Sequence, residues 1–481
     1  MNDRGRYLLL GLACIATLIA CSPFKPKATP DEPAALPESY SLYNGAPAAS
    51  SLWWESVGSP ELNRLVEEAL ADSFTLKEAW YRLLQAKSLA VQAGAERFPD
   101  LSASASAEYA RNRSETGADR SVSSGNENYA LGLISNYELD LWGRVRSQRE
   151  AAELAADASE ADLQAASVTL AAEVADRWVR IVAQRLQKDL LEKQLENNLT
   201  FLELIELRFR NAMVSALDVY QQKQVVESVR AQIPLVEAEM RLLMNELAVL
   251  LGRPPRSDLG LNQAAIPDIG GLPAIGLPAD LLANRPDVRA SGMRLKAAAW
   301  QVSAAKANRL PALQLTAGGQ YGRSDLDMLF DTWLLRLAAN LTAPIFDGGR
   351  RAAEVERTQA AADENLWAYR RVVLNAVKEV EDNLESEVRQ RQHIDGLEAV
   401  MAAARRGLEE AIQRYRRGLS DYLPVLTQLL AVQDLERNLI RQRELLVRYR
   451  IGLHRALGGG WVNTSETSAA PVADNPGDSS T

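Results

Sequence analysis

The residue types that most often do chemistry near neutral pH are scarce in this chain of 481 residues. It contains only two histidines, His393 and His454, and two cysteines, Cys14 and Cys21. Catalysis and transition-metal binding depend strongly on these two residue types. The chain also has no glycine-rich phosphate loop and no Gly-x-Ser-x-Gly motif. We therefore expect no enzyme active site, no metal and no cofactor.

The N-terminus has the pattern of a targeting segment. Arg4 and Arg6 precede an apolar stretch, residues 7–20, which is shorter than the roughly twenty residues that a membrane-spanning helix needs. We therefore interpret residues 1–20 as a signal peptide. The stretch ends in Leu18-Ile-Ala-Cys21, which resembles the lipobox of bacterial lipoproteins.

The resemblance to a lipobox implies that Cys21 is lipidated. The signal would be cut before this residue, and several acyl chains would anchor its thiol and new amino group stably. Cys14 would leave with the signal, so that Cys21 has no disulfide partner. Ser22, which is not an aspartate, implies outer-membrane sorting. The alternative is an ordinary signal peptide with a cysteine at the cleavage site by chance.

The overall composition restricts the class of partner. The formal net charge is -9 and the pI about 5.2, whereas binding to nucleic acid needs a basic patch. We expect no nucleic-acid partner. Apolar residues make up 47% of the chain, which is ample for a folded core.

Four segments alternate apolar and polar residues with a period of two, as a strand with one lipid-facing and one wet side does. They cover residues 101–109, 129–139, 313–321 and 333–341. Aromatic residues flank them in the manner of an interfacial girdle. The first two segments predict a long polar loop over residues 110–128. Strands of a soluble sheet would show the same alternation.

The remaining sequence predicts unusually long helices. Residues 144–208 contain neither glycine nor proline, residues 213–251 only Pro234, and residues 350–416 no proline. A helix of about 65 residues would be roughly 100 Å long and needs neighbours along its length, as in a coiled coil. Leu195, Leu199, Leu202 and Phe209 predict a buried heptad-like stripe.

The two halves of the chain repeat. Arg97-Phe-Pro99 matches Arg309-Leu-Pro311 at an offset of 212, whereas Gly143-Arg144 matches Gly349-Arg350 at 206. Each half predicts helix, strand, strand, long helix, turn and helix. The predicted organisation is therefore a signal peptide at 1–20, a linker at 21–60, repeats at 61–252 and 280–461, a linker at 253–279 and a disordered tail at 462–481.

Four strands are too few to close a membrane barrel, and an open sheet edge cannot stand in lipid. Three copies supply twelve strands, within the range of outer-membrane barrels. The predicted fold class is therefore an α+β membrane protein. Its four strands complete a twelve-stranded barrel in a homotrimer, and its helices form a coiled-coil tube in the periplasm.

Several motifs together resemble the TolC superfamily of outer-membrane factors, and more closely its NodT-like lipoprotein branch. They span residues 50–461, nearly the whole mature chain: Trp53-Trp54, Asp140-Leu-Trp-Gly-Arg144, Leu281-Leu-Ala-Asn-Arg-Pro-Asp-Val288, Pro344-Ile-Phe-Asp-Gly-Gly-Arg350, Tyr415-x-x-Gly418 and Ala456-Leu-Gly-Gly-Gly-Trp461. The resemblance implies a passive export duct for small molecules, lipid-anchored in the outer membrane. Its implied partners are a periplasmic adaptor and an inner-membrane pump.

The same resemblance implies a gate at the periplasmic tip, where the two helix-helix turns, residues 211–215 and 417–421, would lie. Charged residues gather there, and as candidates for closing the gate we name Asp218, Asp421, Arg208, Arg416 and Arg417. Candidate adaptor-docking residues in the turns are Ala212, Met213, Gly418 and Leu419. A solvated, merely charged tip is the alternative.

The sequence departs from the family at one place near the gate. Relatives often carry an aspartate just beyond the second turn, where this chain has Pro424 and Thr427. Cation preference at the entrance therefore stays open. Two other functions also stay open: the outer-membrane channel of a type I protein secretion system, and a periplasmic coiled-coil lipoprotein without a pore.

Overall fold

The computed structural model describes residues 24–26, 36–42, 52–115, 121–273 and 275–459. The predicted signal peptide, Cys21 and the tail at 462–481 lie outside the described residues. The chain divides into two compact units. One unit contains the sheet with residues 82–160 and 290–370, and the other contains residues 34–81, 161–289 and 371–481.

Among the described residues, eight helices and four strands follow the same order in the two halves, with two helices before the strands where the repeat predicted one. In the first half they are α1 Pro60–Asp72, α2 Phe74–Ala95, β1 Asp100–Glu115, β2 Ser121–Leu139, α3 Arg144–Arg210 and α4 Ala216–Leu250. In the second half they are α5 Leu281–Asn284, α6 Pro286–Ala307, β3 Ala312–Arg323, β4 Trp333–Thr342, α7 Arg350–Arg416 and α8 Leu423–Ala456. Short 3-10 turns lie at Trp53–Val57, Pro278–Asp280 and Leu326–Asp331.

The repeat is visible in equivalent contacts of the two halves. Helices α3 and α7 have 67 residues each, as expected where few residues disfavour the helix. Gly252, after α4, lies so close to Asp72 that an added Cβ would be 2.7 Å from its carbonyl oxygen. Gly458, after α8, has the same 2.7 Å relation to the carbonyl oxygen of Asn284. Asp72 and Asn284 are related by the offset of 212, whereas Gly252 and Gly458 are related by the offset of 206. The structure therefore contains the predicted change of offset.

The four strands form one antiparallel sheet in the order β1-β2-β3-β4. Leu101 pairs with Ser135, Leu133 with Gly319, and Leu315 with Ala339. The predicted polar loop at 110–128 was wrong over most of its length, because the β1–β2 ladder continues to the pair of residues 115 and 121. Ladder hydrogen bonds join backbone groups, so polar side chains on both faces do not end a hairpin.

The return from each second strand to a long helix is fixed by an aspartate at the helix N-terminus. The Asp140 carboxylate accepts hydrogen bonds from the amides of Val145 and Arg146, at 3.2 and 2.8 Å. Asp347 accepts one from the Arg351 amide at 3.2 Å. A negative charge at this end also complements the helix dipole. The Trp142 indole donates to the carbonyl of Pro311 at 2.7 Å, joining the two halves of this unit.

The main core of the other unit is built around tryptophans. Trp53, Trp54 and Trp178 are almost fully buried, with apolar residues of α1, α3 and α4. The Trp178 indole donates to Glu61 at 2.7 Å. His454 stacks on Trp53 with ring centres 5.4 Å apart. Burial, followed by the charge of the nearby Arg450, lowers the pKa of His454 to about 4, so this side chain is neutral at pH 7.

The described residues of the linker predicted at 253–279 form no helix or strand before the turn at 278, and the linker is held on this core through its backbone. Arg64 donates to the carbonyl of residue 259 at 2.8 Å, and Arg185 to that of residue 261 at 2.8 Å. Arg450 donates to the carbonyls of residues 269 and 271, at 3.0 and 2.7 Å. It also forms a buried two-point ion pair with Glu387. Three arginines therefore fix this linker.

Candidate functional site at the helix-helix turns

The two turns that join α3 to α4 and α7 to α8 have the same backbone design. Ala212 and Gly418 both adopt left-handed φ angles, of 53° and 72°. The amide of Met213 donates to the Arg208 carbonyl, and that of Leu419 to the Arg414 carbonyl, each at 2.9 Å. These bonds satisfy carbonyls that the helix end would otherwise leave unpaired, as in a Schellman motif. Ala212 and Gly418, which the offset of 206 relates, are therefore equivalent in structure.

The two aspartates near the turns differ in their surroundings. Asp218 forms a capping box with Ser215, whose amide and hydroxyl both donate to its carboxylate at 2.9 Å. This contact fixes the start of α4. Asp421 precedes α8 and is exposed. In the part of the protomer that the structure describes, neither aspartate forms an ion pair with an arginine.

The predicted gate arginines have other surroundings in the described part of the protomer. The guanidinium carbon of Arg208 lies 4.5 Å from the centre of the Tyr415 ring, which is a cation-π contact. Arg416 and Arg417 are exposed at the end of α7 and in the turn. The five candidates are therefore brought to one end of the helices but not paired with one another. Their role as a gate stays a prediction.

Beneath the turns lies a small apolar core with a tyrosine at its centre. Ile205, Tyr415, Tyr422 and Val425 are buried together there. The Tyr422 hydroxyl donates to the Gln222 side chain at 2.7 Å. Burial raises the pKa of Tyr422 above its ordinary value, and the nearby Tyr415 and Asp218 act in the same direction. Tyr422 is thus a neutral hydrogen-bond donor that links α8 to α4.

Above this core, a ladder of buried amides joins α3 to α8. Gln187 donates to the carbonyl of Arg437 at 2.6 Å, and Gln194 donates to that of Gln433 at 3.2 Å. Asn198 and Gln433 exchange two hydrogen bonds, at 3.3 and 3.1 Å. All of these amides are buried or nearly so. The ladder fixes the register of the two helices, because sliding would leave buried amides unpaired.

The amide ladder corrects the stripe expected on α3. Leu199 and Phe209 are 37% and 45% exposed in the protomer, so they are not in its core. The buried face of α3 lies one position earlier in the sequence than the predicted stripe, and it contains Leu191, Gln194 and Asn198. Apolar spacing alone missed it, because two of these residues are polar. The heptad interval from Gln187 to Gln194 is the signal that could have found it.

The predicted docking residues are accessible at the turns. Met213 is 65% exposed and Leu419 is 63% exposed. Beside the first turn, α3 and α4 enclose a cleft of about 310 Å³, spanned by a 3.1 Å ion pair between Lys223 and Glu206. The turns therefore present apolar side chains on a charged surface, a combination suited to protein contacts.

No group of three or more histidine, cysteine, aspartate or glutamate residues suited to a metal occurs among the residues with described coordinates. None of the described helices is both long enough and apolar enough to cross a membrane.

Comparison with known proteins gives a consistent result. The family model for outer membrane efflux proteins matches residues 65–253 and 277–459. The pyoverdine export outer membrane protein OpmQ of Pseudomonas putida is 33% identical over 471 residues, covering 96% of this chain and 99% of that protein. The toluene efflux pump outer membrane protein TtgI of Pseudomonas putida is 31% identical over 410 residues, covering 84% and 86%. The solved outer-membrane channel OprN superimposes with a TM-score of 0.84 at 28% identity, covering 92% and 100%.

Proposed function

Because the chain belongs to the outer membrane efflux protein family, we propose that it is the outer-membrane channel of a tripartite efflux system and a passive export duct for small molecules. The observation that carries this proposal is the family match over both repeats. The fold is that of trimeric channels, in which the four strands of each chain contribute to one twelve-stranded barrel. The relatives are channels and not enzymes.

Small organic molecules are the proposed cargo. The relatives named above handle cargoes as different as pyoverdine and toluene. We therefore assign the choice of cargo to an inner-membrane pump, which would supply the energy and connect to the channel through a periplasmic adaptor. A type I secretion channel remains the alternative, but nothing in the turns or the sheet favours it.

The channel function is tested by reconstitution. The purified trimer in a planar lipid bilayer is expected to give discrete conductance steps. A protein that binds the bilayer without conducting would support the periplasmic lipoprotein without a pore and would contradict the proposed duct. Restoration of solvent or siderophore export in a strain lacking its own channel would separate small-molecule efflux from protein secretion.

The proposed membrane anchor is a lipid on Cys21. It would hold the mature N-terminus at the outer membrane independently of the barrel. The mass of the mature protein is expected to exceed that of residues 21–481 by the acyl groups, and the variant Cys21→Ser should lack them. A mature wild-type protein with an unmodified Cys21 would refute the anchor and leave the channel proposal intact.

The proposed gate uses the charges at the turns between copies. Asp421, Arg416 and Arg417 are exposed and free of ion pairs in the described protomer, so they are available to neighbours in a trimer. One exposed pair contributes only about 0 to 1 kcal/mol. Threefold repetition around one opening multiplies that contribution.

The gate is best tested at Asp421, because a change at Asp218 would also remove its capping box. We expect Asp421→Ala and Arg417→Ala to raise the single-channel conductance. Arg389→Ala serves as a control, because Arg389 pairs with Glu385 on its own helix. Unchanged conductance in both turn variants would rule out these charges as the gate.

The turns are the proposed docking site for the adaptor. Ala212 and Gly418 shape them, while Met213 and Leu419 supply exposed apolar contacts. Leu419→Glu is expected to abolish copurification with the adaptor and leave the trimer intact. Leu326→Glu is the matched control, since Leu326 is 61% exposed in the turn between β3 and β4. Equal adaptor binding by the two variants would refute the docking site.

A further inference from the structure

The register of the four strands assigns every second residue to one face of the sheet. On one face, Leu131 pairs with Tyr321, and Tyr321 pairs with Trp333, which gives an aromatic row across three strands. The same face carries Leu335 and Leu337, which are 62% and 76% exposed in the protomer. Apolar side chains bordered by aromatic rings are what a barrel presents to lipid. This face is therefore the outward, lipid-facing side of the barrel wall.

The charges on the outward face gather at one edge of the sheet. Among the described side chains of residues 101–113, 124–139, 313–323 and 333–341, the charged ones on this face are Arg111, Arg113, Glu127 and Arg323. All four lie beyond the aromatic row, on the side of the β1–β2 hairpin. None of the three arginines forms an ion pair with a described residue. The outward face therefore changes from apolar to basic at its hairpin edge.

The hairpin edge is the edge remote from the helices. Helices α2 and α6 lead into β1 and β3, whereas β2 and β4 lead into α3 and α7. In an antiparallel sheet all four of these connections lie at the opposite edge. In an outer-membrane channel whose helices extend into the periplasm, the hairpin edge lies in the outer leaflet. The aromatic row marks the headgroup level, so the arginines stand among the headgroups of that leaflet.

The arginines form two groups with a carboxylate between them. Arg111 and Arg113 lie on β1, whereas Arg323 lies on β3 opposite Tyr129. The strand spacing and the rise per residue place the Cα atoms of Arg111 and Arg323 about 17 Å apart. Glu127 lies on β2, midway between the two groups, and the Tyr129 hydroxyl donates to its carboxylate at 3.1 Å. A single phosphate centred between the groups would therefore meet a negative charge.

We propose that this edge binds a phosphorylated glycolipid of the outer leaflet, with one phosphate at Arg111 and Arg113 and a second at Arg323. Guanidinium groups bind phosphate through paired, charge-assisted hydrogen bonds. The Glu127 carboxylate accepts hydrogen bonds from sugar hydroxyls between the two phosphates. The acyl chains continue along the apolar part of the outward face. The inference rests on the proposed outer-membrane channel and adds a lipid partner to its barrel.

Packing holds the surface between the two basic groups in place. The ring of Tyr109 covers Gly125, where an added Cβ would lie 3.0 Å from the tyrosine hydroxyl oxygen. Gly125 is the residue that pairs with Arg111, so the ring lies beside the first basic group. The spacing of the basic groups is set by the backbone ladder and not by flexible turns. The site is therefore formed before the lipid binds, which lowers the cost of binding.

The proposal is tested by lipid binding to the purified full-length trimer, measured by native mass spectrometry. The probe is a disaccharide lipid with two phosphates, and its dephosphorylated form is expected to bind about tenfold more weakly. The combined variant Arg111→Gln, Arg113→Gln and Arg323→Gln should lose binding of the bisphosphorylated lipid by a similar factor. Arg336→Gln is the matched control, because Arg336 lies on the other face of the same sheet, where it pairs with Gly318. This control should bind like the wild type.

Each variant is first shown to be a trimer, and the single variants Arg111→Gln and Arg323→Gln replace the combined one if it fails to assemble. Equal binding by the arginine variants and the control would overturn the proposal. Equal affinity for the dephosphorylated lipid, or for singly charged phosphatidylglycerol, would overturn the two-phosphate assignment.

A divalent cation between a phosphate and an acid such as Asp325, two residues after Arg323, would bind the same headgroup by another route. Binding is therefore measured with and without EDTA, and binding lost in EDTA would refute the arginine contacts. Conductance steps are recorded from the same samples. A trimer that binds the lipid without conducting would contradict the channel alone, and one that conducts without binding would contradict the lipid site alone.

Discussion

Exchanging alanine and glycine between the two turns should shift their local stabilities in opposite directions. Ala212 and Gly418 have nearly the same left-handed φ angle and the same carbonyl-capping bonds. A side chain in this conformation costs about 1 to 2 kcal/mol, of which glycine's greater freedom in the unfolded chain offsets about 0.4 to 1. A methyl group added at Gly418 meets no described atom within 4 Å, so the effect comes from the backbone alone. The expected change is about 1 kcal/mol at each turn.

The assay is amide hydrogen exchange of the purified trimer, read at residues 213 and 419. Their amides form the 2.9 Å capping bonds and exchange only when the turn opens. Ala212→Gly should slow exchange at residue 213 about fivefold, and Gly418→Ala should speed exchange at residue 419 about fivefold. Each turn is the control for the other, because the unmodified one should not change. If the amide exchange rates at residues 213 and 419 changed in the same direction in the two variants, the explanation from the left-handed backbone conformation would be refuted.

Three other predictions concern the body of the unit that carries the turns. Gly458→Ala should lower the melting temperature of the trimer more than Gly418→Ala does, because its Cβ would lie 2.7 Å from the Asn284 carbonyl oxygen. His454 is neutral in the fold, with a pKa of about 4. Its contribution to the free energy of unfolding is therefore complete above pH 6.5 and falls by about 2 to 3 kcal/mol as the pH drops towards 4. The melting temperature of the variant His454→Leu should lack this part of the pH dependence. Asn198→Ala strands the Gln433 amide and should cost about 1 to 3 kcal/mol in denaturant unfolding, whereas a neutral result would show that the ladder is not stabilising.

The sequence was sufficient for the elements and the repeat because their signals are long. Period-two alternation located all four strands, and the absence of glycine and proline predicted helices α3 and α7 nearly to the residue. The structural equivalence of Ala212 and Gly418 agrees with the offset of 206 between the two halves of the chain. Signals of this kind accumulate over many residues, so a single exception does not hide them.

What the sequence did not reveal depends on contacts between distant residues. The β1–β2 hairpin runs past its apolar part because the backbone ladder continues without it. The buried face of α3 contains Gln194 and Asn198, and polar residues carry no hydrophobic signal until their partners on α8 are known. The five candidate gate charges form no ion pairs within the described protomer, and a charge in a sequence does not by itself specify its partner.

The linker held by Arg64, Arg185 and Arg450 has a consequence for how this chain tolerates change. All three arginines donate to backbone carbonyls, which every residue type possesses. Substitutions along residues 259–271 therefore keep the carbonyl groups that accept these hydrogen bonds. The length of the segment and the three arginines, in contrast, are tightly constrained. A deletion of a single residue should be more damaging there than several replacements, so this segment can diversify in sequence but hardly in length.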